Sequence, residues 1–191
     1  MTSDDIAHYE VTEILRDQRP VTIRAIRPDD KGLVIETFRE ASPESRYRRL
    51  FAVKKELTDQ DLKLITEVDF VDVVQLVAVL EKDGRDHIVG GGRYMRSRAS
   101  DAGQKAEVAM LVDDEFQGLG IAPRIFKHLA TIARASGVTH FEAEVLPSNE
   151  AMLKVFARAG VAIKTTPAEG YVYVLMDLTE GGNIPSGKPH W

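Results

Sequence analysis

The chain of 191 residues has no cysteine, which excludes disulfides, thiolate metal sites and any covalent intermediate on a thiol. No apolar run approaches the roughly 20 residues that a membrane helix requires, so neither a spanning segment nor a membrane partner is expected. Basic residues are outnumbered, 25 lysines and arginines standing against 30 acids for a formal charge of -5. That balance argues against nucleic acid as a partner, because neutralising a phosphate backbone takes a clustered basic surface. The start, Met1 to Glu10, is polar and acidic rather than basic and then apolar, so no secretory leader is visible and the expected compartment is the cytoplasm. His8, His87, His128, His140 and His190 show no ligand spacing and no G-x-S-x-G elbow occurs. No metal is expected.

What remains is ordinary for a globular protein, with 43% apolar and 29% charged residues. At about 150 residues per domain the length suits one domain, expected over residues 10–178 between a flexible start (1–9) and a flexible glycine- and proline-rich tail (179–191). Glu10 to Leu15 and Pro20 to Ile26 alternate apolar and polar residues around Arg16 to Arg19, which predicts a hairpin. Pro28-Asp29-Asp30 leads into a helical pattern with Leu33, Phe38 and Ala41, and Ser42-Pro43 reads as a cap and first-turn proline of a second short helix. A third is predicted from Thr58 to Val68, with Leu62, Leu64 and Ile65 inward and Asp59, Asp61 and Glu67 on a solvated face. Three extended stretches, Val73 to Glu81, His87 to Arg96 and Lys105 to Val112, then form an antiparallel meander.

After the meander the period changes. Ile121, Ile125, Leu129 and Ile132 make one stripe of a long helix that stops at Gly137. A strand from Thr139 to Leu146 follows, then a helix capped by Ser148 or Asn149, carrying Met152, Val155 and Phe156 and ended by Gly160. A final strand covers Tyr171 to Leu178.

The chemistry is concentrated in Gln117-Gly118-Leu119-Gly120-Ile121-Ala122-Pro123, a glycine turn between strand and helix. Such a turn presents free backbone amides at a helix start and cradles an anion, a pyrophosphate being the natural guest. Glycines at 118 and 120 let the backbone approach a ligand closely, and Pro123 costs nothing in a first helical turn. Two glycines alone fit an ordinary strand-to-helix connection equally well. A dinucleotide site is a third reading, with Glu142 or Glu144 about 20 residues on as the ribose acid. Against it, Pro123 replaces the third glycine and a meander precedes the helix.

Gln117 to Ala122 resembles the Q/R-x-x-G-x-G/A signature of the GCN5-related N-acetyltransferases, and Asn149-Glu150-Ala151-Met152 followed by Gly160 resembles the asparagine-helix-glycine segment of the same family. Ile23 to Asp30, Ser42 to Tyr47 and Leu57 to Asp69 resemble the catalytic domain of bacterial protein lysine acetyltransferases, so the likeness runs over about residues 10 to 178. It implies a mixed α/β fold with a central, mostly antiparallel sheet and helices on both faces. It further implies acetyl-CoA as cosubstrate and direct acetyl transfer to a lysine amine of a protein, with a small amine as the alternative acceptor and a non-catalytic acyl-CoA sensor as the reading from another class. Under this resemblance Glu107 is the general base, and the amides of Met110, Leu111 and Val112 serve the pantetheine and the thioester oxygen. Gln117, Gly118, Leu119, Gly120, Ile121 and Ala122 hold the pyrophosphate and Asn149 holds the pantetheine arm. One position departs: Phe156 stands where many members place a tyrosine that protonates the leaving thiolate, leaving Tyr94, Tyr171 and Tyr173 as substitutes, each fitting core or strand packing as well. The acids Glu44, Glu56, Asp59, Asp61, Glu67 and Asp69 are expected to attract a lysine-bearing surface, against Arg46, Arg48 and Arg49 nearby.

Overall fold

The computed structural model describes residues 1–40, 56–97 and 104–179. Among these, eight strands form one sheet in the order β1-β2-β3-β4-β5-β6-β8-β7. The strands are β1 (Glu10–Ile14), β2 (Pro20–Ala25), β3 (Val73–Lys82), β4 (Arg85–Arg96), β5 (Lys105–Val112), β6 (His140–Val145), β7 (Ala162–Ala168) and β8 (Tyr171–Asp177). All neighbours are antiparallel except β5 and β6, which are parallel because the long helix α4 (Ile121–Ala135) crosses over between them. Helices α1 (Ser3–Ala7), α2 (Lys31–Glu40), α3 (Asp59–Thr66) and α5 (Glu150–Ala157) complete the described elements with two 3-10 turns, Pro28–Asp30 and Asp114–Phe116. The Ser42-Pro43 helix and the glycine- and proline-rich tail lie outside the described residues.

The two faces of the sheet are covered by different helices. On one face the α4 stripe Ile121, Ile125, Leu129 and Ile132 is at most 1% exposed and packs on Leu76, Val108 and Phe141. Gly90 and Gly92 on β4 make this possible. A Cβ at Gly92 would come 2.6 Å from Ile125 and 2.9 Å from Leu129, so any side chain there pushes α4 off the sheet. On the other face Val34 of α2 and Leu62 of α3 pack on Ile26, Val77, Val79 and Ile88, which covers the β2–β4 side. A buried Arg24–Asp30 pair, with two 2.8 Å hydrogen bonds, fixes the entry to α2, and Asp30 also accepts the Arg27 amide at 2.8 Å. Breaking such a pair from one side costs about 3–5 kcal/mol.

Several local expectations change. Residues 1–9 contain α1, which no periodic pattern predicts, closed by a Thr2/Asp5 capping box and anchored by Ile6, which is buried. Five residues are too short to show a periodic stripe. Leu64 is 64% exposed, and α3 instead buries Leu62 and Thr66, whose hydroxyl bonds the Leu62 carbonyl. Strand β7 has no counterpart in the sequence pattern: it is an exposed edge strand with Pro167 inside it, so no apolar alternation marks it.

His128 on α4 ties the β1–β2 hairpin to the core. The Tyr9 hydroxyl donates to Nδ1 at 2.6 Å, leaving Nε2–H to donate to Glu13 at 3.2 Å. Burial holds its pKa below the ordinary imidazole value, with Glu13 opposing that shift. The unfolded chain therefore binds the proton first, so stability is fully present above the unfolded value of about 6.5 and falls as pH drops below it. Melting temperature is expected to decline between pH 7 and pH 5.5, and His128→Gln to flatten that slope; an equal slope in the variant would remove His128 as its source.

Candidate active site

Strand β5 carries the site because it parts from β6. The parallel register holds at Lys105↔His140, Ala106↔Phe141 and Glu107↔Glu142 and then stops, while β6 runs on against β8 to Val145↔Val172. Successive amides of a strand point to opposite neighbours, so beyond Glu107 alternate β5 amides on the β6 side lose their ladder partner. A cleft of about 340 Å³ opens there, walled by β5 residues Glu107 to Leu111, β6 residues Ala143 to Val145, and Leu146, Asn149, Met152 and Phe156. Gln75, Arg93 and Met95 extend it across β3 and β4.

Among the sequence-predicted residues, Glu107, Met110, Leu111 and Asn149 meet at this cleft. Glu107 is exposed and makes no hydrogen bond or ion pair among the described residues. It shares a sheet face with Glu142, its register partner. Asn149 caps α5 by accepting the Met152 amide at 3.3 Å, which occupies Oδ1 and leaves its amide nitrogen without a partner among the described residues. Val112 is buried at the end of β5 and does not line the cleft.

Gln117 to Ala122 lies beyond the cleft wall, after the 3-10 turn that ends β5. Gly118 and Gly120 take φ of +79° and +87°, a backbone region that favours glycine. Gly120 is the N-cap of α4 and, having no side chain, closes no cap bond. The amides of Gly118 to Ala122 donate to nothing among the described residues, the geometry of an anion cradle at the positive end of a fifteen-residue helix.

Two arginines that sequence patterning does not single out stand beside this turn. Arg16 of the hairpin donates Nη1 to the Gly118 carbonyl at 3.0 Å, while its own amide donates to the Leu119 carbonyl at 3.3 Å. Arg124 donates Nη1 to the Gly120 carbonyl at 2.9 Å and lies 3.5 Å from Glu13. Arg16 comes from the hairpin and Arg124 from the first turn of α4, and both put guanidinium charge beside the glycine turn, Arg124 while also bonding the Ile14 carbonyl.

Among the described residues no tyrosine lines the cleft. Phe156 does, buried and edge-on to Phe126 with ring centroids 5.7 Å apart. Tyr94 is fully buried under α4 against Phe141. Tyr173 donates its hydroxyl to Glu142 at 2.7 Å, and that carboxylate pushes its pKa up to about 12, so it holds its proton tightly. The acids expected to draw a lysine are largely engaged elsewhere: Glu67 with Lys31, Asp61 in a capping box with Thr58, and Asp69 on the amides of Val71, Asp72 and Val73. Glu44 and the arginines at 46, 48 and 49 lie outside the described residues. Among the described residues the carboxylates at the cleft itself are Glu107 and Glu144.

No helix among the described residues is long and apolar enough to cross a membrane. The chain is similar over 155 residues to an acetyltransferase of Pseudomonas aeruginosa, 28% identical, covering 81% of this chain and 82% of that one. It is 31% identical over 163 residues to the acetyltransferase Pat of Mycolicibacterium smegmatis, covering 85% of this chain but only 47% of Pat, so it spans about half of that relative. The solved GNAT domain of S. lividans PAT superposes with a TM-score of 0.78 at 36% identity, covering 88% of this chain and 96% of that domain. The acetyltransferase (GNAT) family model matches residues 34–161, the stretch that holds Glu107, the glycine turn and Asn149, and the chain belongs to that family of acyltransferase enzymes.

Proposed function

We propose that the enzyme transfers the acetyl group of acetyl-CoA directly to the amine of a lysine on a protein. The observation that carries this reading is the parting of β5 from β6 at Glu107, which brings a carboxylate, unpaired strand amides and a route to an anion cradle onto one strand. The diphosphate would lie on the amides of Gly118 to Ala122 beside Arg16 and Arg124. The pantetheine would thread the cleft along Met110 and Leu111, past Asn149.

The chemistry asked of the protein is modest. A lysine amine with pKa about 10.4 is mostly protonated at neutral pH and must lose a proton before attacking a thioester. Glu107 is placed to take it, directly or through a water, and being exposed it can pass it on to solvent. Free amides of β5 stabilise the oxyanion as the tetrahedral intermediate forms. The nitrogen–carbon bond forms, the carbon–sulfur bond breaks, and coenzyme A leaves as a thiolate. A thiol pKa of about 8.5 makes that departure feasible without a side-chain acid, consistent with Phe156 at the cleft.

The acceptor reading rests on the likeness to Pat and to the S. lividans PAT domain, and on Glu107 and Glu144 facing the cleft, where carboxylates suit an ammonium. Incubation with labelled acetyl-CoA and a lysate of its own cell, followed by mass spectrometry, is expected to place label on protein lysines. Label found only on small amines would replace a protein by a small-molecule acceptor.

A further inference from the structure

Two polar side chains at the cleft, Gln75 with a buried unmet oxygen and Arg93 without a protein partner among the described residues, are placed side by side by the register. Gln75 on β3 pairs with Arg93 on β4, and Arg93 with Ala109 on β5. Both line the cleft. Gln75 is 2% exposed, yet its Oε1 has no hydrogen-bond partner. Leaving a buried amide oxygen unmet costs about 1–3 kcal/mol, so a buried glutamine is a poor choice for packing alone. Arg93 is exposed and makes no hydrogen bond or ion pair among the described residues, although Glu107 and Glu144 share its cleft.

The distances suit one kind of guest. Glu107 is the diagonal neighbour of Arg93, two residues along β5 from Ala109, and diagonal pairs on one face lie about 7–8 Å apart. A lysine side chain spans about 6 Å from Cα to its amine over five bonds. With its amine at Glu107, such a lysine has the peptide groups flanking its Cα within reach of Arg93. Guanidinium donors suit a carbonyl, and the Gln75 oxygen suits an N–H. A simple alkylamine offers neither.

We propose that Arg93 and Gln75 form a binding row for the peptide groups beside the acceptor lysine, so that this cleft selects lysine within a chain over a free alkylamine. This rests on the acyl-transfer reading above and names what its acceptor side recognises. Arg93 donates to the carbonyl, Gln75 accepts the N–H, and both act on acceptor binding rather than on the reacting bond.

The experiment compares Nα-acetyl-lysine N-methylamide, which carries a peptide group on each side, with n-pentylamine, which presents the same primary amine alone. For the unsubstituted enzyme kcat/KM is expected to favour the lysine derivative by about 10²-fold, since two hydrogen bonds including one to a charged group are at stake. Arg93→Ala and Gln75→Met are each expected to cut that ratio about tenfold through KM for the lysine derivative. The rate with n-pentylamine and the affinity for acetyl-CoA should stay the same. Gln75→Met removes an unmet polar group at nearly constant volume, so it should fold at least as stably; a purely structural glutamine would change melting temperature and leave the ratio alone. A ratio near one in the unsubstituted enzyme, or an undiminished ratio in both variants, would overturn the row while leaving N-acetylation intact. Acetylation of neither amine would instead overturn the lysine-acceptor reading and this inference with it.

Discussion

Glu107→Gln is expected to lower kcat by about 10² to 10⁴, the usual worth of general-base catalysis, with acetyl-CoA affinity unchanged. The substitution keeps size and shape and removes only the ability to accept a full proton. Because Glu107 is exposed and without a partner among the described residues, its replacement leaves no buried group orphaned, and stability should change by no more than about half a kcal/mol. The deficit has a pH signature. As pH rises toward the amine's own value of about 10.4, free amine becomes abundant without help and the two enzymes should converge. Turnover at neutral pH equal to that of the unsubstituted enzyme would take Glu107 out of the mechanism.

Gly120→Glu is expected to weaken acetyl-CoA binding by more than 10²-fold, read by calorimetry. Two effects act together at this position. With φ at +87°, any side chain is strained, at an order-of-magnitude cost of 1–3 kcal/mol. The new Cβ would also stand 2.5 Å from Arg124 Nη1 and 3.7 Å from Arg16 Nε, so Arg124 must swing away and the added carboxylate competes for both guanidinium groups. A negative charge then sits in a cradle shaped for one. Because strain alone could unfold the turn, Arg16→Ala provides the complementary test: it leaves the glycine backbone as it is and should weaken binding about tenfold at low salt, less at high salt. Unchanged affinity in both variants would remove the turn as the phosphate site.

How much of this was legible beforehand depends on how local the deciding interactions are. The stripe of α4, the glycine turn and the Asn149 cap lie within short windows, and periodicity or cap chemistry suffices to find them. Glu107 could be placed on a strand by alternation. Alternation alone makes it an outward-facing glutamate, and only the resemblance of its surroundings gave it a role. Leu64 was misplaced because an apolar residue in a short amphipathic helix fits either face until packing partners are known, and α3 turns Leu62 and Thr66 inward instead.

The sequence by itself determined the order of most elements and the positions of the glycines that need positive φ; the family came from the resemblance of whole motifs, not from glycine spacing. The first two follow from side-chain period, backbone sterics and turn chemistry, all of which act over a few residues. Only the tertiary structure decided where β5 parts from β6, because the end of a ladder depends on what each strand pairs with elsewhere, and β6 runs on against β8 to Val145↔Val172 after its pairing with β5 has stopped. It likewise decided that Arg16, 102 residues from Gly118, reaches the glycine turn, and that Gln75 and Arg93 stand side by side at the cleft. Contacts across such separations leave no periodic trace in a single chain. They are fixed by which faces of the sheet the helices cover, and here the described helices leave the β5–β6 opening free.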